Sequence, residues 1–419
     1  MQHNIEQEIN KIRIIDGHEH LATRDMRKKA GTGFFGLLHY VESDLITAGM
    51  ERDVLFGKTI SIEEKATIFL KYWNRTKNTT YARMLQTAVC DLYGMDDWTV
   101  NGVAELNQKV IEKTNDDSWY AKVLNEYSGI DLALTLIQTT NVDYSLFRPV
   151  MFMDFTYKLR SLRDLHAVEK EAKVSVRSLK DYLNAVDTLL NKYLNEGMVA
   201  TKLGHAYWRT LRSSKSTFGE AEHCFNHLMH MKDNKEHLSD DRMRPFQDYM
   251  IHYIIQRSTA YHLPIQIHTG HHETSVSGDG NNISNSRVGD LVPLLAEYKD
   301  AKFVLLHGGF PYYNEYLSIA KNYPNVYADL TWLYVISPTA SRIMLHSLIE
   351  MVPQSKIQGF GGDYNYIEGT YAHQKLARKV ISNVLIDKVS QGELTEKEAV
   401  EFADRILRTN LIELYELGM

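Results

Sequence analysis

Short apolar runs recur along the chain, and each breaks off into polar or ionisable residues. Residues 12–15 run into Asp16-Gly17-His18-Glu19-His20, and 131–137 into Gln138-Thr139-Thr140-Asn141. Residues 150–153 run into Asp154, and 198–200 into the stretch holding Lys202-Leu203-Gly204-His205. Residues 265–267 precede His268-Thr269-Gly270-His271-His272, and 303–306 precede His307-Gly308-Gly309. The last two runs, 326–328 and 357–360, end at Asp329 and at Gly361-Gly362-Asp363. Most of the sequence between them has helical spacing. Continuous apolar runs, rather than strict alternation, suit parallel strands buried on both faces. Strands alternating with helices make βαβ units. Eight such units predict an α/β fold, a (β/α)8 TIM barrel whose reactive residues gather on the C-terminal rim of the strands. An open doubly wound sheet is the competing architecture, but no Gly-x-Gly-x-x-Gly follows any of these runs.

The repeat is interrupted after the first strand. Residues 34–125 are mostly helical and aromatic-rich, with Ser61 placed to cap a helix that starts at Ile62. The expected organisation is therefore a barrel formed by residues 11–33 and 126–390, a helical insertion at 34–125, and a C-terminal helix at 391–419 packed on the barrel. Thr395-Glu396-Lys397-Glu398 is a capping box that opens this last helix. A shorter polar insertion spans 213–241. The insertion's aromatics, Phe34, Phe35, Tyr72, Trp73 and Tyr81, are expected in a core rather than as a substrate platform.

Composition narrows the function. With 44% hydrophobic residues the chain can bury a large core, and a net charge of −6 leaves no basic excess for gripping phosphates, so nucleic acid is excluded as a partner. Two cysteines, Cys90 and Cys224, form no Cys-x-x-Cys pair, which argues against thiolate zinc and disulfide scaffolds and for a reducing compartment. The first eleven residues carry no apolar run, and no uncharged stretch approaches the roughly 18 residues of a membrane span. The expectation is a soluble, cytoplasmic protein acting on a small molecule, with no membrane partner. The helical insertion is a candidate contact for a homo-oligomer.

His18 and His20 lie two apart on a strand, so both imidazoles should face one side, with Asp16 beside them and Glu19 turned away. Two imidazoles at a strand end are a natural pair for a divalent metal. Alone the spacing is weak. It gains weight because His268, His307 and Asp363 each close another apolar run, and all five would face one barrel mouth. Nitrogen and carboxylate ligands can hold a cation while leaving a position for water, whose pKa falls toward 7 and whose proton Asp363 could accept.

These motifs resemble the amidohydrolase superfamily, in particular its amidohydrolase-related (amidohydrolase 2) branch. The matching pieces are Asp16-Gly17-His18-Glu19-His20, Gln266-Ile267-His268-Thr269-Gly270, Leu306-His307-Gly308-Gly309 and Gly361-Gly362-Asp363, with the closing 403–410 similar to that family's terminal helix. The insertion at 34–125 lies outside the resemblance. The likeness implies a metal bound by His18, His20, His268 and Asp363, with catalytic roles for Asp363, His307 and Lys202. His307 is either a second-metal ligand or a group that polarises substrate or water. Lys202 would bridge two metals in binuclear relatives, whereas Thr201-Lys202-Leu203-Gly204 is equally typical of mononuclear ones. One divalent ion is expected, zinc by default, with a second metal left open.

If the fourth strand continued, His205, Tyr207 and Arg209 would share one orientation and bind substrate, Arg209 clamping a carboxylate through two parallel hydrogen bonds. The alternative for Arg209 is a salt bridge. His271 is a further substrate-binding candidate from the loop after the fifth strand. The function expected is metal-dependent hydrolysis of an amide, ester or lactone in a small polar, carboxylate-bearing substrate. Relatives in this superfamily also include non-oxidative decarboxylases and uronate isomerases, the latter sharing an early helical insertion but usually lacking a sixth-strand histidine. A non-catalytic binding protein is the reading from another class, and loss of metal ligands would favour it.

Overall fold

The computed structural model describes residues 2–55, 60–231, 236–273 and 282–419. Its eight parallel strands follow chain order around a barrel: β1 (Ile14–Glu19), β2 (Ile130–Thr135), β3 (Phe147–Phe152), β4 (Ala200–Leu203), β5 (Ile265–His268), β6 (Phe303–Leu306), β7 (Val326–Asp329) and β8 (Ile357–Gln358). The residues after β8 close the ring, with Gly17 N donating to Phe360 O and Asp363 N to His18 O, both at 3.0 Å. The predicted strands and their order match these elements.

Side-chain parity sorts the core into two layers. Ile15, Leu132, Leu134, Val150, Ala200, Val304 and Leu306 form a separate inner cluster, completed by Leu411, Leu414 and Tyr415 of the C-terminal segment. Strand neighbours such as Ile14, Met151, Leu203, Ile265 and Leu305 join the larger cluster between sheet and helices. The C-terminal segment thus plugs the barrel. The capping box at Thr395 and Glu398 forms as the sequence predicts and opens the helix Glu396–Asp404.

Most crossovers carry helices. The connection from β2 to β3, residues 136–146, has none, although the parallel pairing of those strands requires a crossover. Between β1 and β2 the described insertion is helical, including Ile62–Thr76, Thr80–Tyr93 and Val100–Thr114, and Ser61 forms the expected cap with Glu64. Phe34, Phe35 and Trp73 are buried with Phe69, as expected of core aromatics. A buried ion pair and two insertion side chains tie the segment between β1 and β2 to the long helix after β8. Arg27 grips Glu368 with two hydrogen bonds of 2.9 and 2.8 Å, and Tyr93 and Trp119 donate to the same carboxylate. With every polar atom partnered, breaking the pair costs far more than its net contribution to stability. The polar stretch 213–241 is partly helical, Phe218–Met229, and its residues 232–235 lie outside the described set. Among the described residues no helix is long and apolar enough to cross a membrane.

Candidate metal centre and its cavity

The candidate metal-ligand pattern begins with a bulge. Asp16 pairs with Ala133 and Glu19 with Thr135, so three steps along β1 match two along β2. The extra residue changes side-chain direction, and the simple alternation expected for Asp16 through His20 does not hold. Asp16 and Glu19 are both fully buried and lie together away from the cavity. Burial pushes both carboxyl groups up, Asp16 to about 7, so the pair retains a proton near neutrality. Together they clamp the loop after β8. Asp16 accepts from Gly362 N at 3.1 Å, and Glu19 accepts from Tyr364 N at 2.7 Å and from the Thr370 hydroxyl at 2.6 Å. A Cβ on Gly362 would fall 1.8 Å from the Glu19 carboxylate, so no larger residue fits there.

The clamp presents Asp363 to the mouth in a left-handed conformation (φ 59°), a region non-glycine residues rarely adopt. Its Oδ1 lies 3.4 Å from His18 Nε2 and 3.3 Å from His20 Nε2. These three residues form a group whose ligand atoms all lie within 4.8 Å of one another. The tautomer of His18 follows from its neighbours. Gln266 donates through its amide nitrogen to Gly17 O at 2.9 Å, and Gly17 O can only accept. Its Oε1 therefore faces His18 Nδ1 at 2.7 Å and accepts that N–H. His18 Nε2 is left with a lone pair, buried, aimed at the group and without a hydrogen-bond partner. Tyr415, from the C-terminal plug, lies 3.0 Å from the same Gln266 amide nitrogen. Burial, reinforced by the Lys202 charge, holds His18 and His307 well below the usual histidine pKa, which keeps their nitrogens available. Two imidazoles and a carboxylate with a bare inward nitrogen fit a divalent cation.

His268 and His307 stand beside this group rather than in it. His268 Nε2 donates to His271 O at 2.8 Å, and His307 Nδ1 donates to Thr331 O at 3.2 Å. Their remaining nitrogens, His268 Nδ1 and His307 Nε2, face each other at 3.0 Å. Neutral rings would turn two lone pairs on one another, an arrangement that a shared proton or a cation relieves. His307 follows inward-facing Leu306, and its left-handed φ of 70° marks the turn that carries it to the mouth. Asp329 supports the turn, accepting from His307 N at 3.4 Å and Thr331 N at 2.8 Å, and burial raises it to about 7.

Lys202 points inward from β4 and is buried at the cavity floor, where loss of solvation lowers it to about 8. The other candidates from this region need correction. β4 ends at Leu203 and the chain turns through His205–Tyr207, so the expected alternation has no strand to ride on. His205 is buried next to Tyr157, 3.4 Å from its hydroxyl, and does not line the cavity. Arg209 is not a substrate clamp. Its guanidinium is buried against Asp248 and also donates to Gln247 and to Arg212 O. Tyr207 does reach the cavity mouth, its ring 4.7 Å from His272 and 4.6 Å from His268. The His271 ring packs near Trp332 at 5.3 Å, and its carbonyl orients His268.

His18, His20, Lys202, His268, His307 and Asp363 open into one cavity of about 760 Å³. Its remaining wall is mostly apolar, with Leu136, Phe152, Phe155 and Trp208 prominent. Sequence reasoning missed this wall, although Phe152 and Asp154 sit at the end of a recognised strand. Asp154 carries Trp208, accepting its indole N–H at 3.0 Å and Gly204 N at 2.7 Å. Tyr40, also missed, extends the insertion to the site. Its hydroxyl donates to Asp363 O, and its ring stacks 5.0 Å from Trp332.

Comparison with known proteins agrees with the resemblance. The amidohydrolase family model matches residues 228–417, which contain His268, His307 and Asp363. The protein fluG of Emericella nidulans is 29% identical over 181 residues, covering 42% of this chain and only 20% of that protein. Among solved structures, a uronate isomerase from Thermotoga maritima superposes with a TM-score of 0.81 at 15% identity, covering 99% of this chain and 97% of that one. A glucuronate isomerase from Caulobacter crescentus gives 0.80 at 17% identity, covering 100% and 94%. At these identities the likeness is one of fold. The chain is thus similar to amidohydrolases in sequence over residues 228–417, and shares along nearly its whole length the barrel fold seen in the uronate isomerase structures.

Proposed function

We propose that this protein is a metal-dependent hydrolase that cleaves an amide, ester or lactone bond in a small molecule with a largely apolar body. The observation that carries this reading is the bare, buried Nε2 of His18, aimed at Asp363 beside His20 at the head of an apolar cavity. His18, His20 and Asp363 would hold the ion, and the donor set suits zinc, manganese or iron, with zinc the working assignment. When bound, the cation supplies Lewis acidity for a carbonyl and acidifies a water. Asp363 accepts the water's proton, its second oxygen lying 4.0 Å from His307. Lys202, buried with a pKa near 8, donates to the substrate's developing oxyanion. The apolar wall seats the rest of the substrate and keeps bulk water away. The substrate body expected from sequence was polar; the residues of this wall favour an apolar one.

A second reading, sugar-acid isomerisation, draws support from the whole-chain superposition on uronate isomerase structures. A wall dominated by Leu and aromatic side chains suits a hydroxyl-covered sugar poorly. Metal-loaded protein should be screened with aryl amides, esters and lactones, with uronates, and with carboxylated aromatics. Hydrolysis of the first set is expected. Ketose formation from uronates, or carbon dioxide release with no hydrolytic turnover, would overturn the proposal.

A further inference from the structure

The cavity has a cation that the metal chemistry does not use. Lys158 lines the same cavity as the candidate metal ligands, half-buried, with its ammonium 5.4 Å from the centre of the Trp208 ring. Among the described residues its ammonium has no hydrogen bond and no carboxylate within ion-pair distance. The acids nearby are committed elsewhere. Asp154 accepts from Tyr157, Gly204 and Trp208. Glu171 is held by Lys192 at 2.7 Å, and Asp240 takes both hydrogen bonds from Arg160. Arg160 also lies 5.3 Å from the Trp208 ring, but its charge is met by Asp240, which leaves Lys158 as the cation on this wall without an ion-pair partner. Asp154, Asp240 and Asp164 act on Lys158 only from beyond ion-pair distance, and an ammonium over an aromatic face, partly removed from water and without a hydrogen-bonded partner, gains from an anion that reaches it directly.

We propose that Lys158 reads an anionic group, a carboxylate by preference, on the part of the substrate distant from the scissile bond, so that the substrate class is an apolar-bodied organic acid. This rests on the reading of the cavity as the substrate site, and it moves the carboxylate partner from Arg209, which is spent on Asp248, to Lys158. The apolar wall takes the body of the molecule and Lys158 its charged end. Specificity then comes from penalising neutral analogues, which leave the ammonium without a partner.

The test uses metal-loaded full-length protein and calorimetric titration with 3-phenylpropionate and its neutral amide. Wild type should prefer the carboxylate by about tenfold or more. In Lys158→Met the preference should fall to whatever the metal alone confers, and Lys158→Arg should retain most of it. An unchanged carboxylate preference in Lys158→Met, or none in wild type, overturns the proposal. Binding is read without turnover. A protein that shows the Lys158-dependent preference yet hydrolyses nothing would therefore overturn the hydrolase reading and leave this one standing.

Discussion

Two flanks of the same barrel mouth are built on opposite plans. On the β1–β8 side, strand ends and their cross-strand hydrogen bonds hold His18, His20 and Asp363, with Gln266 and the Asp16–Glu19 pair locking them from behind. On the β3–β4 side the turns that follow the strands, Met153–Thr156 and His205–Tyr207, bring Phe155, Tyr207 and Trp208 to an apolar wall. The first flank orders its polar atoms to receive a charge. The second turns the first arginine after β4, Arg209, into a buried structural pair. On the proposed function, chemistry is placed where backbone geometry is over-determined, and recognition where it can vary.

Perturbing each flank should separate these roles. The largest effect is expected for His18→Ala, which should lose stoichiometric metal by elemental analysis and reduce turnover on the order of 10⁴-fold, about 5 kcal/mol. Retention of one metal per chain would remove His18 from the centre. On the other flank, Arg209→Met leaves Asp248 buried without its partner and should cost roughly 3–5 kcal/mol in denaturant unfolding. KM of the folded fraction should hardly change; a selective rise in KM would restore Arg209 as a substrate ligand.

Lys202 joins the two flanks, and its effect should depend on pH. Its folded pKa of about 8 lies below the ordinary 10.5, so the unfolded chain binds more protons between those values. Stability of chelator-treated protein should therefore rise as pH increases from about 8 to 10.5. Lys202→Met should lack that rise and gain up to roughly 3 kcal/mol at pH 7. Parallel stability curves for the two proteins would contradict the assignment. Smallest is Gln266→Leu, which frees the His18 tautomer and should weaken metal binding roughly 10–100-fold by competition titration. Unaltered affinity in a folded variant would show that the ring needs no such lock.

The eight strands, their order and the insertion were legible in the chain because a parallel barrel strand is an apolar run with a polar end. Of the four metal ligands that the resemblance implies, His18, His20 and Asp363 come together as a candidate group while His268 stands beside it; all four are polar residues set against the ends of those runs. Legibility failed where alternation was extended past a strand's end. His205, Tyr207 and Arg209 share a period of two in sequence, but their turn sends one into the core, one to the mouth and one to Asp248. The bulge in β1 likewise set Asp16 with Glu19 instead of with the histidines.

What the sequence determined by itself is therefore the barrel and which residues stand at its rim, since burial period and strand length are local properties. Which of those residues meet was decided by the tertiary structure. Tyr40 reaches Asp363 across 323 residues, Gln266 reaches His18 across 248, and Arg209 finds Asp248 on another element. Side-chain direction at a bulge or a left-handed residue, and the choice of partner for a buried charge, depend on neighbours distant in the chain, and periodicity carries no information about those.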